Sequence, residues 1–397
     1  MKRAQFIILA VVSVFILTKS TVYGTTLEEL ADRVEKLERE NTKLKQALSQ
    51  TDEKIEATVE TVELSISQKG DLFAKTHIGG YGELHYNNLV GSGGASDKSE
   101  IDFHRFVLFF SHDFSDSIKF NSELEIEHSI SGDDQPGEVE LEQAYLDFLF
   151  DDRFNMRGGL FLLPVGILNE VHEPTSFYGV ERNPVEKNII PTTWWEGGLG
   201  AFGEFLPGLS YDLFLHSGLE TSGPNYSIRG GRQKVAEALA DNLAATARLR
   251  WNVLPGVEVA ASYQLQDDIT QGNDELAGRA DMFEAHAILS KWDFTLKALY
   301  AVWNLDGAGP KASGSDEQFG YYIEPSYKLT SSLGIFARYN RWDNRAGADS
   351  NAEKTQWDIG INYWPHPNVV IKADYQIQDN EDNRNQDGFN IGLGYHF

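Results

Sequence analysis

The chain has 397 residues, of which 36 are glycine and none is cysteine, so disulfides, thiolate metal sites and cysteine nucleophiles are excluded. Its formal net charge of -26 argues against a nucleic-acid partner, because binding to phosphates requires concentrated cations. Beyond the amino terminus no apolar run reaches the roughly 18 residues of a membrane-spanning helix, which excludes a helical-bundle membrane protein.

Residues 1–24 have the pattern of a secretory signal peptide. Two basic residues precede an apolar run from Phe6 to Leu17, and a polar stretch follows. The run is too short to cross a bilayer as a helix. Val22 and Gly24 are small enough for the -3 and -1 positions of a cleavage site, so we predict export with cleavage near Gly24.

Residues 25–70 are predicted to form a coiled-coil helix. Between residues 27 and 65 the core positions recur at alternating steps of four and three, which is the heptad of a left-handed supercoil. Asn41 lies in one core row and would fix the register, while the other row turns to Thr and Ser beyond Leu44. A self-associating coil of open oligomer number is expected, and a lone amphipathic helix packed on the rest of the chain is the alternative.

From residue 75 onward the apolar period changes to two, the period of a strand. Residues 118–127 alternate most regularly, with Glu123, Glu125 and Glu127 on the polar face, and the last ten residues alternate in the same way. A soluble sheet could show this pattern. Its repetition about sixteen times and the terminal Phe favour strands that face lipid on one side and water on the other.

Tight turns and long polar loops alternate between the predicted strands. Residues 206–208 and 254–256 are tight turns, whereas residues 169–195 and 220–241 are long loops. This sorting is typical of an up-and-down outer-membrane barrel. The predicted fold class is therefore all-β, a 16-stranded antiparallel transmembrane β-barrel over residues 75–397, preceded by the coiled-coil helix. The strands are expected near 77–88, 101–114, 117–130, 138–150, 153–163, 196–206, 208–217, 242–254, 256–267, 281–291, 292–304, 318–329, 332–342, 355–364, 367–378 and 387–397.

Several aromatic residues fall near the ends of predicted strands: Trp292, Trp303, Trp342, Trp364 and Tyr395. Aromatic residues form girdles at both interfaces of membrane barrels, so these positions suit such girdles. Each could equally belong to a packed interior.

The longest predicted loop, residues 169–195, is unusually apolar. It contains Phe177, Tyr178, Ile189 and Ile190, which would not be stable in water on an extended loop. A lumen bounded by about sixteen strands is too wide for strand side chains to fill. We therefore predict that this loop folds back and packs inside the lumen.

Short motifs are concentrated between residues 140 and 206: Gly159-Leu160-Phe161, Pro164-Val165-Gly166, Asn169-Glu170, His172-Glu173-Pro174, Val180-Glu181-Arg182-Asn183, Ile190-Pro191-Thr192-Thr193-Trp194, and Glu196 with Gly198. In these motifs the chain resembles the phosphate-selective porin O and P family, and the resemblance extends over most of residues 77–397. It implies a sixteen-stranded trimeric porin in the outer membrane of a Gram-negative bacterium, with a third external loop that constricts each pore. Some porins of this broad group have amino-terminal extensions similar to the coil.

Phosphate-selective members of that family rely on ladders of Arg and Lys along the pore wall. The cationic candidates here are Arg105, Arg157, Arg248, Arg250 and Arg338 on strands, with Arg182 and Lys187 in the long loop. Glu123, Glu125 and Glu127 are acidic candidates for the same lumen, and residues 75–397 hold 24 basic and 48 acidic residues. These residues do not form an extended basic ladder, and a salt bridge inside the lumen is an equal alternative for each arginine.

The expected function is passive diffusion of small hydrophilic solutes, with anions such as phosphate as one candidate class, and without a cofactor. A general non-selective porin is one alternative. Another is an envelope tether, in which a periplasmic coil over residues 25–70 links the outer membrane to the cell wall. No enzyme and no metal site are predicted, since His172-Glu173 alone is a weak metal signal. The expected partners are outer-membrane lipid, lipopolysaccharide and further copies of the chain.

Overall fold

The computed structural model describes residues 31–45, 54, 74–221, 223–348 and 352–397. The predicted signal peptide lies outside the described residues, as does most of the predicted coiled coil. The chain divides into two units between Leu72 and Phe73. No helix within the described residues is long and apolar enough to cross a membrane.

In the first unit, residues 31–45 form a helix, α1, on which every side chain is exposed. Val34, Leu37 and Leu44 belong to the predicted heptad rows and are 50%, 63% and 69% exposed. A helix fits the sequence prediction, and its apolar side chains are uncovered in a single chain. The coiled coil itself stays a prediction.

The second unit is a closed sheet of sixteen antiparallel strands. The strands are β1 (Thr76–Gly91), β2 (Lys98–Ser115), β3 (Ile118–Glu127), β4 (Val139–Leu149), β5 (Asn155–Leu162), β6 (Trp195–Leu206), β7 (Leu209–His216), β8 (Ala244–Trp251), β9 (Val257–Gln266), β10 (Ala277–Lys291), β11 (Phe294–Gly307), β12 (Glu317–Thr330), β13 (Leu333–Asp343), β14 (Lys354–His366), β15 (Val369–Asn380) and β16 (Gln386–His396). Each strand pairs with the next along the chain, and β16 returns to pair with β1. The predicted fold class and strand number are confirmed.

Side chains alternate between the outside of the barrel and its lumen, as the period of two predicts. On β3, Leu124 is 40% exposed, whereas Glu123 and Glu125 are buried inside. On β16, Phe389 is half exposed and Asn390 is buried. The outer surface is apolar because hydrocarbon accepts no hydrogen bonds, and the polar side chains face inward.

Short turns lie at one end of the barrel and long loops at the other, as predicted. Two long loops fold into the lumen. Loop L3, residues 163–194, joins β5 to β6 and contains a short helix, α2 (Val185–Asn188); loop L4, residues 217–243, joins β7 to β8. A further short helix, α3 (Ala308–Ser313), lies between β11 and β12.

The hydrophobic core lies inside the barrel, where L3 meets the inner wall. Ile189, Ile190 and Trp194 of L3 are completely buried, and the ring centroids of Trp194 and Trp303 on β11 are 6.0 Å apart. Trp303 Nε1 donates a hydrogen bond of 3.0 Å to the Ile189 carbonyl oxygen. The prediction that this loop packs inside the lumen is confirmed.

The girdle interpretation is wrong for two of the five aromatic residues. Trp303 is completely buried and Trp342 is 5% exposed, and both belong to the core beneath L3. They face inward because the loop presents apolar side chains to them and keeps water away. Trp292, which lies in the turn between β10 and β11, is 90% exposed.

We expect Trp194→Ala to reduce the free energy of unfolding by about 3–5 kcal/mol, because it removes a large side chain from a closed core. The measurement is the urea concentration at which half of the folded protein in detergent micelles is lost, followed as the compact band on unheated gels. The matched control is Trp292→Ala, which should leave the midpoint unchanged. Equal midpoints for the two variants would contradict the inward packing of L3.

Candidate functional site: the constriction of the barrel

Loop L3 is fixed at its base by two buried polar side chains. Glu186 on α2 accepts hydrogen bonds from the backbone N–H groups of Ile167 and Leu168, at 2.6 and 2.7 Å, and from the Tyr322 hydroxyl at 3.0 Å. The Asn169 amide donates to the carbonyl oxygens at both ends of the loop and accepts from the Trp194 N–H at 2.7 Å. The loop is therefore held in one conformation.

The middle of L3 is attached to the wall formed by β13–β15. Asp374 accepts a hydrogen bond of 2.6 Å from the Val180 N–H, and Lys372 Nζ donates one of 2.9 Å to the Gly179 carbonyl oxygen. Arg338 Nη1 donates to the Tyr178 carbonyl oxygen at 3.2 Å. These contacts hold the loop against one side of the lumen.

Beside L3 lies a cavity of about 190 Å³ that charged side chains line from two directions. Most of the acidic side chains come from β1, β3, β4 and the residue before β4, and we call these the glutamate wall: Glu83, Glu125, Glu127, Glu138, Glu140 and Glu142. Glu181 of L3 also lines the cavity. Loops L3 and L4 supply most of the cations: Arg182, Lys187, Arg229, Arg232 and Lys234, joined by Arg105 from β2. Charge of opposite sign therefore faces the cavity from strands and from loops.

Three of the loop cations, Arg182, Arg229 and Arg232, form an arginine cluster around Thr192 and Thr193. Arg182 Nη1 donates to Thr193 Oγ1 at 2.8 Å, Arg229 Nη1 donates to the Thr192 carbonyl oxygen at 2.7 Å, and Arg232 donates to the Thr193 carbonyl oxygen. No carboxylate of the described residues lies within ion-pair distance of these guanidinium groups. Burial, followed by the neighbouring Arg232 and Arg182, lowers the pKa of Arg229 to about 10.

Four strand arginines predicted as candidates for the pore form salt bridges instead, which was the stated alternative. Arg105 Nε lies 2.5 Å from Glu83 Oε1, and Arg157 Nε lies 2.8 Å from Asp147 Oδ1. Arg248 pairs with both Asp212 and Glu170, and Arg338 pairs with Glu324 and Asp358 at 3.1 and 3.0 Å. Only Arg105 of these four lines the constriction cavity; Arg250 lines a separate cavity near the short turns.

The other predicted residues divide between the cavity and the support of L3. Glu125, Glu127, Arg182 and Lys187 line the cavity. Glu123 instead lies 3.3 Å from Nε2 of His172, which belongs to L3, and accepts a hydrogen bond of 2.7 Å from Gln143. Glu123 therefore holds the loop in place.

Sequence reasoning missed the contribution of L4 to the cavity. Arg229, Arg232 and Lys234 form the densest run of cations in any long loop, and this was the available signal. Lys234 Nζ lies 2.5 Å from Glu138 Oε2 and also pairs with Glu140, so the loop is bound to the glutamate wall. By sequence L4 is one of the long polar loops, whereas Leu219, Tyr226 and Ile228 of this loop are buried in the core.

A model of the Gram-negative porin family matches residues 209–383. A protein of Aquifex aeolicus (strain VF5), described as uncharacterized, is 32% identical over 360 residues, which cover 81% of this chain and 79% of that protein. The chain belongs to the Gram-negative porin family. The predicted resemblance to porins is confirmed at this level, and the phosphate-selective O and P subtype stays a prediction.

Solved porin structures share the fold at low sequence identity. The outer membrane channel DcaP of Acinetobacter baumannii has a TM-score of 0.58 at 15% identity, over 81% of this chain and 97% of that chain. The anion-selective porin from Comamonas acidovorans has a TM-score of 0.56 at 11% identity, over 81% and 99%. The trimer form of OmpT, an outer membrane protein of Vibrio cholerae, has a TM-score of 0.52 at 13% identity, over 81% and 99%.

Family and fold together indicate an outer-membrane channel for small solutes rather than an enzyme. The cavity lined by L3, L4 and the glutamate wall is the candidate functional site of this porin.

The pairing of His172 with Glu123 and Glu142 generates a prediction about pH. Burial alone would lower the pKa of His172, but these carboxylates outweigh it and raise the pKa from 6.5 to about 9. The stabilisation of L3 is therefore fully present below about pH 6.5 and is lost as the pH rises through about 9.

We expect His172→Gln to lower the free energy of unfolding at pH 6 by no more than about 3 kcal/mol, and to have little effect at pH 10. The measurement is the urea midpoint of variant and parent at both pH values. An exposed histidine, His77, gives the control substitution His77→Gln. A loss of equal size at pH 6 and pH 10 would contradict a charged His172.

Proposed function

We propose that the constriction of this porin passes small hydrophilic solutes by diffusion and favours those that carry separated charges. The observation that supports this is the arginine cluster, which faces the same cavity as the glutamate wall and has no carboxylate partner among the described residues. An anionic group of a solute would bind the guanidinium groups, and a cationic group would be attracted to the glutamates.

Anions such as phosphate belong to this proposal, because guanidinium groups suit an oxyanion. An extended basic ladder along the strands does not support it, since Arg105, Arg157, Arg248 and Arg338 each contact a carboxylate. The arrangement therefore favours a general porin with one anion-attracting cluster over a phosphate-selective channel.

We further infer that the mature protein is a homo-oligomer, with the trimer as the leading candidate, and that residues 25–70 lie in the periplasm as a coiled coil. The trimer form of the similar OmpT supports the first inference. The uncovered Val34, Leu37 and Leu44 of α1 support the second, because a stripe of apolar side chains is stable once another helix covers it. We propose lipopolysaccharide as a partner of the barrel surface and the cell wall as a partner of the coil.

Reversal potentials in planar bilayers under a KCl gradient test the proposal. We expect Arg229→Gln combined with Arg232→Gln to make the channel several-fold more cation-selective, because it removes two cations from the constriction. Glu125→Gln combined with Glu127→Gln should shift selectivity toward anions. The control is Arg153→Gln, an exposed arginine outside the cavity. Unchanged reversal potentials in both double variants would contradict the proposal.

Phosphate and chloride distinguish a general porin from a phosphate-selective one. We expect millimolar phosphate to leave the chloride current of single channels nearly unchanged, because the arginine cluster faces a glutamate wall that repels a polyvalent anion. A block of the chloride current by phosphate, removed by Arg229→Gln, would instead establish phosphate selectivity.

Deletion of residues 27–65 distinguishes a pore from an envelope tether. We expect single-channel conductance to survive the deletion, because the barrel begins at Thr76. If the coil holds the copies together, the deletion should make the oligomer less stable, so that its band on unheated gels is lost at a lower temperature. Loss of conductance in a deletion variant whose barrel is folded would contradict the assignment of the pore to the barrel and of a separate role to the coil.

A further inference from the structure

Three side chains at the beginning of β2 and the end of β3 bring their ligand atoms together in the lumen. Asp102 and His104 lie on β2, and His128 follows the last residue of β3. His128 Nδ1 lies 2.9 Å from both carboxylate oxygens of Asp102, and His104 Nδ1 lies 3.2 Å from Asp102 Oδ2. One donor atom from each residue lies within 4.8 Å of the others.

An irregularity in β2 makes this arrangement possible. Glu83 pairs with Arg105 and His85 pairs with Asp102, so β2 has one more residue than β1 between these pairs. Such a bulge lets two consecutive side chains, His104 and Arg105, point to the same side of the sheet, and both line the constriction cavity. A regular strand would have directed one of them toward lipid.

The backbone of His128 is also unusual. Its φ is 51°, in the left-handed region that residues other than glycine seldom adopt, and its N–H donates to the His104 carbonyl oxygen at 3.1 Å. This conformation brings the ring back over Asp102.

We infer that Asp102, His104 and His128 bind a divalent transition-metal ion of the Zn²⁺ class. Two imidazole nitrogens and one carboxylate oxygen are ligands that such ions prefer. Bonds of about 2.0–2.1 Å in a tetrahedron place the ligand atoms about 3.3 Å apart, and the two separations between Asp102 and the histidines, 2.9 and 3.2 Å, are close to this value. Three protein ligands would leave one tetrahedral position for water or a solute.

Exposure distinguishes this group from two other clusters of possible ligands. The side chains of Asp102, His104 and His128 are 19%, 34% and 32% exposed, so an ion in solution can reach them. The cluster of Glu123, Glu142 and His172 is completely enclosed and holds L3. The cluster of Glu127, Glu138 and Glu140 offers carboxylates alone, and Lys234 already forms ion pairs with Glu138 and Glu140.

The surroundings set the orientation of the proposed ligands. The ring of His85 stacks on that of His104, with centroids 4.7 Å apart and planes inclined by 14°. His85 is itself held between Glu83 and Glu181, each 3.2 Å from one of its ring nitrogens. This support fixes the plane of His104 as residues behind a metal ligand commonly do.

The test is Zn²⁺ titration by calorimetry, on the full chain without a histidine tag, folded in detergent micelles. Co²⁺ serves as an optical probe of the same site. We expect one Zn²⁺ per chain, and a Co²⁺ band in the visible range that Zn²⁺ removes. Asp102→Asn and His128→Gln should each weaken Zn²⁺ binding by at least about 10-fold, because each removes a ligand. Folding of each variant is checked by the heat-dependent shift on gels.

Two control variants make the result specific. His77→Gln removes an exposed histidine of β1 and should bind Zn²⁺ as the parent does. Glu138→Gln changes the carboxylate cluster and should also leave the affinity unchanged. Absence of binding in the parent, equal affinity in Asp102→Asn, or a loss confined to Glu138→Gln would each overturn the inference. None of these outcomes depends on solute transport, so they leave the proposed function to its own test.

Discussion

The whole molecule depends on one requirement: in hydrocarbon, every backbone N–H and C=O group must find its partner within the protein. An open sheet would leave two edges unpaired, and only closure removes them. Here the seam between β1 and β16 continues to the last residue, where Gly80 and Phe397 exchange backbone hydrogen bonds of 3.0 and 2.9 Å. Closure of sixteen strands also creates a lumen too wide for side chains to fill.

The inward loops occupy part of the lumen that the strand side chains cannot fill. L3 buries Ile189, Ile190 and Trp194 against the inner wall, so part of the lumen is a hydrophobic core and not a channel. The last strand is shaped for the same contact, since a Cβ at Gly394 would come within 2.4 Å of the Pro174 side chain and one at Gly392 within 3.1 Å of Val180. The glycines that alternate along β16 therefore give the loop its space.

The carboxylates and the cations that line the cavity come mostly from different parts of the fold. Most of the carboxylates stand on or beside β1, β3 and β4, with Glu181 of L3 as an addition, whereas most of the cations lie on L3 and L4. The guanidinium groups of Arg182, Arg229 and Arg232 donate to the Thr193 hydroxyl and to the carbonyl oxygens of Thr192 and Thr193, and these neutral acceptors leave the charges of the arginines uncancelled. A strongly acidic chain thus retains a local positive surface, and this surface faces the solute path.

The sequence by itself determined the architecture, because the period of two and the sorting of loop lengths are local properties that hydrocarbon and water impose directly. It also determined that L3 enters the lumen, since Phe177 and Ile189 could not remain in water, and it placed Glu125 correctly. Only the tertiary structure decided which arginines keep a free charge. Arg157 meets Asp147 through cross-strand register, and Arg229 reaches the cavity through the path of a loop, and neither depends on neighbours in the sequence.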